Sequence, residues 1–212
     1  MARGWLRMCL ALLGLAVSCG TRAAGPALES GDLVFENLVL GAVRRDQWAS
    51  ASRWSHVGIV DAEGGKPVVI EALGKVSRTP WDAWARRARR GGAYLVLRPH
   101  GLTSAQRRAA AEQARTFLGR PYDPRFGWGD ERIYCSELVV KAYERGAGIS
   151  YGRRQRLGDL RLAGIEKAAE KRWGGPIPKD LVLVTPASLV EDTRLARAAE
   201  RLAAGRRVAV VA

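Results

Sequence analysis

Three side chains of this sequence have types and spacings that could carry acyl-transfer chemistry: the thiol of Cys135, the imidazole of His56 and the carboxylate of Glu71. From Cys135 onward, apolar residues at Leu138, Val139, Ala142 and Tyr143 recur at helical spacing, and Gly146 and Gly148 supply a stop. A thiol in the first turn of a helix meets unpaired backbone N–H groups and the positive end of the macrodipole, and both favour thiolate. A neighbouring imidazole would complete its activation as a nucleophile. The ordinary alternative is a buried structural cysteine, because Cys135 shares a stripe with Leu138 and Ala142.

Strands must bring the other two groups to the thiol. Ser55-His56-Val57-Gly58-Ile59-Val60 reads as a buried strand led by its histidine. Asp61 to Lys66 is a turn, and Pro67 to Ala72 is the returning strand. With that turn Val60 faces Pro67 and His56 stands directly opposite Glu71, which sets their Cβ atoms about 5 Å apart on one face. The thiol would then be the nucleophile, the imidazole its base, and the carboxylate the group that orients the ring. The Cys135 backbone N–H, with the phenol of Tyr122 or Tyr134, could form an oxyanion site. Asp61 and Glu63 are weaker substitutes for Glu71, and His100, between Pro99 and Gly101, reads as a loop residue.

The other elements read as follows. Gly31 to Phe35, Lys75 to Thr79, Tyr94 to Arg98 and Leu181 to Val184 are strands. Trp81 to Arg90 is a helix with Pro80 at its first position. A second helix, capped by Thr103 or Ser104, runs to about Leu118 and closes at Gly119. Leu160 to Arg172 and Pro186 to Ala203 are read as helical, and Val208 to Val211 as a last strand. Antiparallel strands with the cysteine on a later helix make an α+β domain, a central antiparallel sheet packed against helices.

The chain has 212 residues, 47% of them hydrophobic, and a net charge of +14. Arginines cluster at Arg86 to Arg90 and at Arg153 to Arg156. Such charge suits nucleic acid, anionic lipid or an acidic polymer, and equally a solvated helix face. Arg3 and Arg7 precede an apolar run from Met8 to Val17, as in a secretory signal peptide, and the run is short for a membrane span. Residues 1–24 are therefore read as a leader and 25–212 as one domain. Cys19, after Ala16-Val17-Ser18, resembles a lipobox cysteine whose lipidation would tether an exported domain to a bacterial membrane facing the periplasm. With Cys9 in the leader and Cys19 lipidated or removed, Cys135 has no partner for an internal disulfide, which is unusual for an exported protein.

Other chemistries find little support. Two histidines and one mature cysteine give no zinc spacing, and no phosphate-binding glycine loop occurs. Gly148-Ile149-Ser150-Tyr151-Gly152 spells a nucleophile elbow but follows a helix where an elbow needs a strand. A monomer without cofactor, metal or nucleic-acid partner is expected.

Gly31-Asp32-Leu33-Val34-Phe35, Ser55 to Val60, Ile70-Glu71-Ala72, Gly119-Arg120-Pro121-Tyr122-Asp123 and Tyr134 to Val139 resemble, in that order, the blocks of the circularly permuted NlpC-type, papain-like cysteine hydrolases (YiiX/YebB-like amidases). The resemblance spans about residues 30 to 190, including Thr185-Pro186-Ala187-Ser188-Leu189. It implies a papain-like fold with the histidine strand ahead of the cysteine helix, and a Cys–His–polar triad on Cys135, His56 and Glu71. It also implies an amide substrate, in a cell-wall peptide or an N-acylated amine. A lipid-directed acyltransferase or phospholipase is the alternative enzyme. A non-catalytic protein holding anionic wall polymer or lipid is the alternative outside catalysis.

Overall fold

A computed structural model describes residues 27–38, 49–90 and 92–202. The leader with Cys19 and the strand expected at Val208 to Val211 lie outside the described residues. Six strands form one antiparallel sheet in the order β4-β3-β2-β1-β5-β8. They are β1 (Leu33–Glu36), β2 (His56–Asp61), β3 (Val68–Leu73), β4 (Lys75–Pro80), β5 (Ala93–Pro99) and β8 (Leu195–Leu202). A two-stranded ribbon pairs β6 (Gln155–Arg156) with β7 (Val182–Leu183).

The strands alternate between two apolar faces, as a sheet covered on both sides requires. Leu33, Phe35, Val57, Ile59, Ile70 and Leu95 pack against helices α2 (Ser104–Arg115) and α3 (Cys135–Ala147). Val34, Val60, Val69 and Val96 face helix α1 (Trp81–Arg90), which buries Trp84, Ala85 and Ala88 there. Helix α1 carries Asp82 in its first turn and Arg87, Arg89 and Arg90 in its last, matching the macrodipole at both ends. Thr103 and Gln106 form a reciprocal capping box at α2. Gly148 ends α3 in the left-handed conformation, φ 70°. Gly146, expected to help stop that helix, instead lies inside it. A Cβ there would stand 2.6 Å from the Ala109 carbonyl oxygen, so glycine lets α3 approach α2.

Two helical expectations fail. From Leu160 to Arg172 only α4 (Glu166–Trp173) forms, after Gly164 at φ 86°, while Leu157–Asp159 is a 3-10 turn. The helix at Pro186 is α5 (Pro186–Val190), and Leu195–Leu202 is strand β8 rather than helix. The segment Leu-Ala-Arg-Ala-Ala-Glu-Arg-Leu is rich in helix formers. The unpaired edge of β5 wins, because its backbone groups need partners and β8 supplies them, with a register shift between Val96 and Leu97. Among the described residues no helix is long and apolar enough to cross a membrane.

Candidate active site

Cys135 is the first residue of α3 and is buried. Its helix begins after Tyr134, whose N–H donates to Glu137 Oε2 at 3.2 Å across the first turn. The sulfur sits where unpaired helix N–H groups converge. The preceding loop is closed by its own backbone. Ile133 N–H reaches the Pro121 carbonyl at 3.0 Å, Tyr122 N–H reaches the Gly74 carbonyl at 2.8 Å, and Lys75 bridges to Pro121. That closure hangs Tyr122 beside β4.

His56 opens β2 and is buried. The register differs from direct opposition. The turn begins at Ala62, so Asp61 pairs with Val68 and Gly58 stands opposite Glu71. The shift is two residues, so His56 keeps its face and meets Glu71 on the diagonal. Gly58 lets β2 lie close against β3 here: a Cβ there would stand 2.4 Å from Val69 Cγ1, 3.0 Å from the Ile70 carbonyl oxygen and 3.3 Å from Glu71 Cβ, so any side chain would displace Val69 or part the strands. His56 Nε2 lies 2.7 Å from Glu71 Oε2. The ring's other nitrogen is left for Cys135, which lines the same cleft as His56.

Glu71 is held by two further donors. Thr79 Oγ1 donates to Oε1 at 2.6 Å, and Arg87 Nη2 donates to Oε2 at 2.6 Å. Burial pushes the carboxyl up, but His56 and then Arg87 outweigh it and bring it down to about 2. Burial pushes the His56 ring toward neutrality, yet its interactions with Cys135 and Glu71 lift it to about 10. The net direction favours the protonated ring. A second buried carboxylate, Glu36, pairs in register with His56 and binds Arg87 through Nη2 at 2.5 Å. Burial raises Glu36 despite the pull of Arg87 and His56.

The structure thus gathers Cys135, His56 and Glu71, and places Tyr122 and Tyr134 on the same cleft. Tyr134 is buried and its phenol accepts from the Val184 N–H at 3.2 Å. Asp61 and Glu63 lie elsewhere, both bound by Arg115. His100 is exposed in the turn after β5. Sequence reasoning missed Glu36, Thr79 and Arg87. Arg87 was readable in part: it follows Trp84 by three residues, which puts it on the buried side of α1.

The cleft is about 570 Å³ and mostly apolar, walled by Leu38, Trp54, Phe126, Leu160, Leu162 and Trp173. Lys171 and Arg172 line it, and no Asp or Glu does among the described residues. Arg172 stacks over Phe126, 5.0 Å from the ring centroid.

An antiparallel sheet bearing a histidine, ahead in sequence of a helix that opens on a cysteine, is the architecture of a permuted papain-like protein. The chain belongs to the permuted papain-like amidase family, YaeF/YiiX, C92, which it matches over residues 27–198. It is 32% identical over 194 residues to the uncharacterized protein YiiX of Escherichia coli strain K12, covering 90% of this chain and 95% of that one. A crystal structure described as metalloprotein yiiX from Escherichia coli O157:H7 superposes with a TM-score of 0.78 at 32% identity, covering 82% of this chain and 98% of that one.

Proposed function

We propose that the protein is a thiol-dependent amidase in which Cys135 is the nucleophile, His56 the acid and base, and Glu71 the group that holds the ring. The observation that carries this is that Cys135, at the head of α3, and His56 line one cleft while His56 Nε2 lies 2.7 Å from Glu71 Oε2. The sulfur adds to the amide carbonyl carbon, and the oxyanion is met by the Cys135 N–H at the head of α3 with help from Tyr122. The C–N bond breaks as His56 gives its proton to the leaving amine. Water, deprotonated by the now neutral His56, then attacks the thioester, releasing the acid and returning the proton to the ring. The phenol of Tyr134, already engaged by Val184, serves better as a wall near the sulfur than as the main donor.

The cleft favours an N-acylated amine over a cell-wall peptide. Peptide stems bring several backbone amides that need partners, and most of this lining is apolar. The same walls keep a lipid-directed acyltransferase as the second reading, distinguished by transfer of the acyl group to a lipid rather than to water. An exported domain, tethered through Cys19, would meet either substrate at the cell envelope.

The relative's description as a metalloprotein raises a metal here as well. Glu36, His56 and Glu71 offer ligand atoms within 4.8 Å of one another. Arg87 Nη2 lies between the two carboxylates, 2.5 Å and 2.6 Å from their oxygens, where a shared ion would stand. The residues do not fit a resident metal, and no step above uses one.

The test is Cys135→Ala assayed on a long-chain N-acyl amine. Turnover should fall by at least about 10³-fold with an unchanged melting temperature. Undiminished turnover in that variant defeats the enzymatic reading.

A further inference from the structure

The cluster beside the proposed triad holds two buried carboxylates, yet the reaction uses one. Glu71 Oε1 takes Thr79, and Glu71 Oε2 takes both His56 Nε2 and Arg87 Nη2. Glu36 takes the other side of the same guanidinium, from Nη2 at 2.5 Å and from Nε at 3.1 and 3.3 Å. Arg87 is thus pinned by Glu36 and fixes the one carboxylate oxygen that faces the ring. The two carboxylates thus share one guanidinium.

The place taken by the guanidinium is also the place a metal would want. A divalent ion shared by Glu36 and Glu71 would lie about 2.0–2.2 Å from each oxygen. Ion and guanidinium cannot both stand there, because like charges at that separation in a buried site repel strongly. We propose that Arg87 is the resident cation of this cluster: it positions Glu71 against His56 for the hydrolysis and keeps divalent metal out. The positioning half rests on the amidase reading, and the metal half does not. Neither Arg87 nor the two carboxylates line the cleft, so loss of the guanidinium should leave substrate binding alone.

Zinc titration by calorimetry, in a Cys135→Ser background that removes the thiol as a ligand, separates the two halves. Arg87→Met should bind one zinc per chain at least about 100-fold more tightly than its parent, and adding Glu36→Gln should abolish the gain. If Arg87→Met does not fold alone, the same gain should appear as zinc-dependent recovery of the native circular dichroism spectrum. Arg87→Lys, which keeps the charge, should stay within about tenfold of the parent's zinc affinity. In the thiol-intact chain treated with chelator, Arg87→Met should lower kcat about tenfold or more with KM within about twofold, and Arg87→Lys should restore part of kcat. Tight zinc binding by the Arg87-containing parent that Glu36→Gln removes would overturn the proposal. So would an Arg87→Met protein with the parent's zinc affinity, or a loss that falls on KM. Undiminished turnover in Cys135→Ala would remove the amidase reading and leave the zinc result to be judged by itself.

Discussion

Two ion clusters in this protein treat a buried glutamate in opposite ways. One joins Glu36, His56, Glu71 and Arg87 from strands β1, β2 and β3 and helix α1. The other joins Glu137, Lys141 and Arg145 of α3 with Asp130 of the loop before it. Glu71 is drawn down to about 2, while Glu137 is pushed up to about 7. Both are buried, so burial alone does not distinguish them. The difference is the donors. Glu71 receives His56, Arg87 and Thr79, whereas Glu137 has Lys141, at 2.7 Å, and the Tyr134 N–H. Lys141 is also shared with Asp130 and with the carbonyls of Trp128 and Gly129. At Glu137 desolvation outweighs the partners, and at Glu71 the partners outweigh desolvation. The first cluster keeps a carboxylate charged against the His56 ring. The second uses its lysine to fasten the loop 119–134 to the helix that bears the thiol.

The largest expected effect breaks the first cluster. Glu71→Ala should lower kcat by about 10²-fold or more, since the ring loses both its orientation and the charge that keeps it protonated. Steady-state rates on an N-acyl amine read this directly, and a change of less than threefold would mean that the ring is held by something else.

Breaking the second cluster should be felt as stability. Lys141→Met leaves Glu137 buried without its cation and should cost about 3 kcal/mol at pH 8. The urea midpoint measures it, and adding Glu137→Gln should recover most of the loss. A double variant no better than the single one would show that the loop contacts of Lys141, rather than its ion pair, carry the cost.

The smallest effect, and the finest comparison, is the pH dependence of stability. Glu71 titrates below its ordinary 4.5, so its contribution is present above pH 4.5 and lost as pH falls toward 2. Glu137 titrates above 4.5, so the folded state binds the extra proton between pH 4.5 and about 7, and stability falls as pH rises through that window. Glu137→Gln should therefore flatten the decline between pH 4.5 and 7, whereas Glu71→Gln should soften the acid limb below 4.5. Denaturation curves taken across pH would separate the two, and identical profiles would mean that the two carboxyls do not differ.

Much of this was legible in the chain. The Glu137–Lys141 pair is four residues apart on a helix, and the capped ends of α2 and α3 follow from Thr103, Gln106 and Gly148. The sequence predicts His56 directly opposite Glu71, and the two still share a face because a register shift of two residues preserves strand parity. The pairing itself was misread because residues on either side of the Glu63-Gly64-Gly65 turn could close it. β8 was read as helix because its composition favours one, and only the open edge of β5 overrides that preference.

Residue types and local periodicity determined the thiol at a helix start, the histidine at a strand start and the apolar alternation of the central strands. Those are short-range properties, fixed by capping, parity and side-chain chemistry. Only the tertiary structure decided that Arg87 would bridge Glu36 and Glu71, partners 51 and 16 residues away, and that Gly58 would pack tightly against Val69 of the neighbouring strand. Hydrogen bonds between elements depend on how helix and sheet pack, and no local pattern encodes that distance.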